Sequence, residues 1–245
     1  MSTMSAHTDT DDGIDDARRH AARAAVYAAL AGAFCYPDDG TVADLTAAET
    51  ATGLRDAAAT LGAHEDRVEA FVSAFDTADP AALRRVYGDL FAVPDDDGYP
   101  VVPYESEYTA GEEVSHKQRR VATVAGLLDA FGLDVADEFD ERRDHVALEC
   151  ELMQVLAGRR AVAVDADLDD EASSLRAAEA TLLDEHLDPF VPTFAAAVRE
   201  ALATRHGDDP AADAYRAAVD LAEATVEADA AAHPSGLSVE RRGSS

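Results

Sequence analysis

The stretch DHVALECELMQVLAG, Asp144–Gly158, decides the fold class. Val146, Cys150, Met153 and Ala157 recur at steps of four, three and four residues, and Leu148, Leu152 and Leu156 widen the stripe. That spacing predicts an α-helix with a broad apolar face, and Asp144 at its start is a capping residue type.

Reading outward, the same period returns. Residues 112–131, EEVSHKQRRVATVAGLLDAF, offer Val114, Val121, Val124, Leu128 and Phe131 to a core, and Gly132 follows as a C-terminal cap. Nearer the N-terminus Val26, Leu30, Ala33 and Phe34 form a buried-type stripe that ends at Pro37. Thr41 is an N-cap candidate for a second helix, and EDRVEAFVSAF supplies a third. Asp79-Pro80 and Asp209-Pro210 are cap-then-proline signals, and Asp167 is a further cap candidate. No repeat of fixed period is visible, and strand-like alternation is confined to short runs such as AVAVD, residues 161–165. The expected fold is therefore all-α, a single-domain bundle of about 8–10 helices over residues 15–233. The polar stretches 1–14 and 234–245 are expected to be disordered.

Composition narrows the function. Hydrophobic residues make up 47% of the chain and aromatics 6%, so the core must be built mainly from Ala, Leu and Val. The 50 acidic residues outweigh 20 basic ones, giving a formal charge of -30, and Lys117 is the sole lysine. This pattern fits a protein adapted to a salt-accumulating cytoplasm and argues against nucleic-acid partners, which need clustered Lys and Arg. Cys35 and Cys150 form no metal or disulfide spacing, and no run of apolar residues is long enough to span or insert into a membrane. The paired arginines Arg18 and Arg19 precede an Ala-rich run. Acidic residues before them, Arg23 within the run and Phe34 before Cys35 speak against an export signal, so the protein is read as cytoplasmic.

No nucleophile or phosphate-binding motif is present, and Ser106, between Glu105 and Glu107, is poorly placed to lose a proton. The chain is not read as an enzyme, and no cofactor or metal is expected. His145 and Glu149 share a helix face four residues apart, so a metal-dependent helical enzyme using them with a glutamate from 105–107 is the alternative from another class. One cluster is unusual for so aromatic-poor a chain. PYESEY, Pro103–Tyr108, places two tyrosines and two carboxylates at a helix start behind a proline-rich approach.

Four stretches in order, RAAVYAALAGAFCYPD, YGDLF with PYESEYT, ERRDHVALECELM and HLDPFVPTF, resemble the TorD/DmsD/NarJ family of molybdoenzyme chaperones. Two details differ: Phe190 stands where the family often has Trp, and AVPDDDG replaces a Gly-Pro turn. The resemblance implies an all-helical chaperone whose partner is the N-terminal twin-arginine leader of a molybdopterin-dependent oxidoreductase. A related possibility is an assembly chaperone of the nitrate reductase type. By that resemblance Tyr87, Phe91, Pro103, Tyr104, Glu105, Ser106, Tyr108, Asp144, His145 and Glu149 line the peptide-binding face. Carboxylates and aromatic faces suit guanidinium groups, and an apolar groove suits the rest of a leader.

The charge yields a first prediction. Self-repulsion among exposed carboxylates weakens the compact state at low ionic strength, and salt screens it. Circular dichroism is expected to show a helical spectrum in molar KCl that is lost on dialysis into dilute buffer. Full stability in dilute buffer would contradict the salt-adapted reading.

Overall fold

The computed structural model describes residues 5–91, 100–111, 113–136, 139, 141–207 and 209–232, with side chains from Gly13 onward. The tail expected to be disordered from residue 234 lies outside the described residues. The chain is all-α: no strand occurs among the described residues, which hold ten helices of eight or more residues, one single α-helical turn and one π-helical turn. In order these are α1 (Ser5–Phe34), α2 (Asp39–Thr46), α3 (Ala48–Leu61), α4 (Glu65–Thr77), α5 (Pro80–Phe91), the turn α6 (Ser106–Thr109) and α7 (Val114–Ala130). Then follow α8 (Val146–Asp165), α9 (Asp169–Leu182), a π-helical turn (Leu183–Leu187), α10 (Asp188–Arg205) and α11 (Pro210–Ala232). The backbone of α1 is already helical at Ser5, ahead of the boundary at residue 15, because each added residue extends an existing helix by one hydrogen bond.

Helix α8 is the centre. Val146, Ala147, Leu148, Cys150, Leu152, Met153, Leu156, Ala157, Ala161 and Ala163 bury most of its circumference, against α1 on one side and α9 on another. A helix apolar on several faces has to lie inside. The AVAVD run is its last turn, not a strand, since packing overrides β propensity there. Small residues let the elements close up: a Cβ on Gly32 of α1 would stand 3.3 Å from the Leu45 side chain of α2. The few aromatics are concentrated rather than scattered. Phe34, Tyr87, Phe91, Phe194, Phe190 and Tyr108 form a chain of ring contacts with centroids 5.0–6.1 Å apart. Such contacts compensate for the low aromatic content by clustering it at one junction.

Local signals decide most boundaries. Asp79 accepts from the amides of Ala81 and Ala82, and Asp209 accepts from Ala211, each followed by proline at the first helical position. Gly132 adopts φ 61 after α7. Three local expectations are corrected. Asp38, not Thr41, caps α2, accepting from the Thr41 amide at 2.7 Å. Asp167 takes φ 54 in the turn before α9 and makes no cap, and Val114 faces solvent because α7 is covered on one side only.

One buried ion network ties four helices. Arg23 of α1 grips Asp229 of α11 with three hydrogen bonds, Nε to Oδ1 at 2.9 Å and to Oδ2 at 3.0 Å and Nη2 to Oδ2 at 2.8 Å, and reaches Glu179 of α9 at 2.7 Å. Tyr27 donates to Asp229 at 3.0 Å, and Arg160 of α8 joins Glu179 at 3.1 Å. Removing one partner of a buried pair strands the other charge. Asp229→Ala is therefore expected to cost about 3 kcal/mol in urea unfolding, against about 1 kcal/mol for Tyr27→Phe, which loses a single hydrogen bond. Equal costs for the two would show that the network does not hold the bundle.

Candidate functional site

Two sequence motifs meet through their backbones. The Glu105 amide donates to the Asp144 carbonyl at 2.8 Å and the Val146 amide donates to the Pro103 carbonyl at 2.9 Å, an antiparallel bridge centred on Tyr104 and His145. The segment after the proline-rich approach is thereby fastened across the start of α8. The Ser106 amide adds a bond to Asp144 Oδ2 at 3.1 Å. Pro103, Tyr104, Glu105, Ser106, Asp144 and His145 thus gather at one place, all buried.

On the outer side of this junction sits a guanidinium. Arg142, whose side chain is 40% exposed, grips Asp144 with Nε to Oδ1 at 2.9 Å and Nη2 to Oδ2 at 2.8 Å. It donates further to Ser106 Oγ at 2.6 Å and Glu107 Oε1 at 3.0 Å, and lies 4.5 Å over the Tyr104 ring. Lys117 of α7 closes on the other oxygen of Glu107, and together these cations hold that carboxyl below its usual range. Tyr104 donates its hydroxyl to Glu141 at 2.6 Å. Bidentate carboxylate, hydroxyl acceptor and aromatic face together form a receptor for a planar cation. Alongside runs a groove of about 470 Å³ lined by Val114, Val121, Ala122 and Ala125 of α7 and by Arg142 and Arg143.

On the inner side is a different arrangement. Glu105, Glu149 of α8 and His186 of the π-helical turn are fully buried and face one another, with His186 Nδ1 3.6 Å from Glu105 Oε2 and 3.7 Å from Glu149 Oε1. Burial pushes the Glu149 carboxyl up to about 7. Burial alone would lower His186, but the two carboxylates outweigh it and raise the imidazole to about 9. Imidazole nitrogen and carboxylate oxygen are ligand types that suit a divalent transition ion. The π-helical turn that delivers His186 precedes Pro189 and Pro192, whose missing amides and rings crowd the carbonyls four residues back.

Of the residues the family resemblance implied, Tyr87 and Phe91 belong to the aromatic junction, and Tyr108 packs on Phe190 at 5.2 Å. His145 caps α8, its Nδ1 accepting from the Ala147 amide at 3.1 Å, between the rings of Tyr104 and Phe139. It does not join Glu149; the imidazole that does is His186, which corrects the grouping considered for a metal-dependent enzyme. Sequence reasoning missed Arg142, His186 and Arg120, the last 3.2 Å from Glu105 Oε1. The only available signals were the charges flanking Asp144 and the histidine of HLDPFVPTF.

A sequence model described as nitrate reductase delta subunit matches residues 47–196, more than half the chain and the whole of this junction. The chain belongs to that family of NarJ/TorD-type chaperones. Its members assist assembly of nitrate reductase-type molybdoenzymes and are not themselves catalysts. No curated protein and no solved structure matches the chain. Among the described residues no helix is long and apolar enough to cross a membrane.

Burial holds the His145 imidazole down to about 4, so it is neutral at pH 7. The unfolded chain binds this proton more readily, near 6.5, so the contribution to stability is full above that value and is lost as pH falls toward 4. His145→Asn, which keeps a capping side chain without a titrating ring, is expected to remove part of the acid sensitivity between pH 6.5 and 4. Superimposable pH profiles of urea midpoints for the two proteins would contradict a neutral buried imidazole.

Proposed function

We propose that this chaperone binds the twin-arginine leader of a molybdopterin oxidoreductase in the cytoplasm, holding the enzyme while its cofactor is loaded and export is delayed. The observation that carries the reading is Arg142. Its guanidinium occupies a cup built from Tyr104, Ser106, Glu107 and Asp144, so the cup accepts an arginine by its chemistry. A leader arginine takes the same place by displacing Arg142, and the neighbouring apolar groove of α7 receives the leader's hydrophobic segment. Glu105 and Glu149 lie too deep to touch a peptide and support the cup from behind. Tyr87 and Phe91 belong to the ring chain that reaches the same segment through Tyr108.

The family match also favours a second reading, in which the same cup holds a terminal segment of a nitrate reductase-type enzyme that is never exported. Peptides separate the two. A leader carrying paired arginines binds in the first case, and an enzyme terminus lacking them binds in the second.

Arg142→Gln removes the internal competitor while leaving the acceptors in place. Its affinity for a labelled leader peptide is expected to rise about tenfold, and Val121→Asp in the groove is expected to weaken binding by a similar factor. Titrations by fluorescence anisotropy in molar KCl, where exposed charges are screened, provide the measurement. Binding that is indifferent to both changes, or to replacing the leader's arginines with glutamine, would exclude this cup as the leader site.

A further inference from the structure

We propose that Glu105, Glu149 and His186 bind a divalent transition-metal ion that fastens the Pro103–Thr109 segment to the core. The three side chains come from three separate elements: the turn before α6, the first turns of α8 and the π-helical turn. All three are fully buried, and one donor atom from each lies within 4.8 Å of the other two. Glu105 Oε2, both oxygens of Glu149 and both ring nitrogens of His186 have no hydrogen-bond partner. Five such atoms in one spot run against the rule that buried polar groups are satisfied.

The separations discriminate between explanations. A direct N–H to carboxylate bond would bring donor and acceptor to about 2.7–3.2 Å. The two contacts of His186 stand at 3.6 and 3.7 Å. Two ligands each about 2.0–2.2 Å from one ion and tetrahedrally disposed lie about 3.3–3.6 Å apart, which is close to what is seen. Charge agrees: two carboxylates and a neutral imidazole balance a doubly charged ion. One nitrogen with carboxylate oxygens favours zinc, manganese or iron over calcium and magnesium, which prefer all-oxygen shells. With both oxygens of Glu149 engaged, the protein supplies four donors, and the site is closed to solvent, as in structural rather than catalytic centres. The outer oxygen of Glu105 is held by Thr109 and Arg120, which orient the carboxylate toward the other two ligands. The proposal stands on these groups alone and is independent of what the outer cup binds.

The test uses the full chain, expressed without an affinity tag and kept in molar KCl so that exposed carboxylates retain few ions. Elemental analysis after gel filtration is expected to find about one equivalent of zinc, manganese or iron per chain. Chelator treatment should lower the melting temperature, and added ZnCl2 should restore it. His186→Gln and Glu149→Gln should each weaken Zn2+ binding by about a hundredfold or more, while Glu200→Gln, exposed on α10 and outside both sites, leaves it unchanged. If either ligand variant fails to fold, the chelated and reconstituted wild-type chain still gives the answer. A chain that retains no metal, and whose melting temperature is unmoved by ZnCl2 or MnCl2, holds a protonated His186 between two carboxylates instead, and the proposal is wrong. Equal metal retention by the wild type and His186→Gln overturns it as well.

Discussion

Two backbone hydrogen bonds, from the Glu105 amide to the Asp144 carbonyl and from the Val146 amide to the Pro103 carbonyl, are what the site depends on. They set an extended segment across the first residues of α8 and so fix which side chains face outward and which inward. Glu105 already has helical backbone angles, φ -53 and ψ -48, so its side chain leaves the bridge in a different direction from that of Tyr104. Tyr104 presents its face to Arg142, and the next residue, Glu105, turns toward Glu149 and His186. On the opposing segment Asp144 turns to the outer guanidinium, while His145 packs inside between two rings. One short bridge in an otherwise helical protein thereby creates two chemically distinct neighbourhoods back to back.

The helical architecture was largely legible because its signals are local. Asp79-Pro80, Asp209-Pro210 and Gly132 act through their own backbone geometry, and the stripe of Val146, Cys150, Met153 and Ala157 depends only on helical period. Thr41 was read as the cap of the second helix, but Asp38, also a capping type and three residues earlier, takes that place. The grouping of Tyr104, Glu105 and Ser106 with Asp144 and His145 followed from family resemblance, not from spacing. What stayed hidden were pairings between distant charges. Arg23 read as an interruption of an apolar run, yet its partner Asp229 lies 206 residues away and completes a buried network. His186 sat in a noted motif, but nothing in its neighbourhood announces Glu149 on another helix. Arg142 lay within the ERRDHVALECELM stretch without a reading of its own, because its role appears only when Tyr104 is brought beneath it.

The two buried charge clusters differ in how far their hydrogen-bonding groups are matched. Around Arg23 the guanidinium and the Asp229 carboxylate satisfy one another, with Glu179 Oε1 and Arg160 Nε left without a hydrogen-bond partner, and the network fastens α1, α8, α9 and α11. A buried pair of that kind is strongly destabilising to break and contributes little that hydrophobic packing could not. Around Glu149 the demands are unmet.

For a peptide that displaces Arg142, the energetic consequence follows from conservation of contacts. One guanidinium replaces another in the same cup, so the hydrogen bonds to Asp144, Ser106 and Glu107 and the contact with Tyr104 are exchanged rather than gained. Long-range attraction contributes little in concentrated salt, where the screening length falls to about 3 Å at 1 M. The surplus that drives association must then come from apolar surface laid into the α7 groove, at roughly 25 cal/mol per Å² before ordering costs are subtracted. Arginine supplies something else. A lysine cannot reproduce the planar fork that engages both oxygens of Asp144 while lying flat on Tyr104, so on the proposed function the cup would set register and reject other cations. On the proposed function, affinity and selectivity would reside in different parts of one surface, the groove and the cup, and Arg142 lies at the boundary between them.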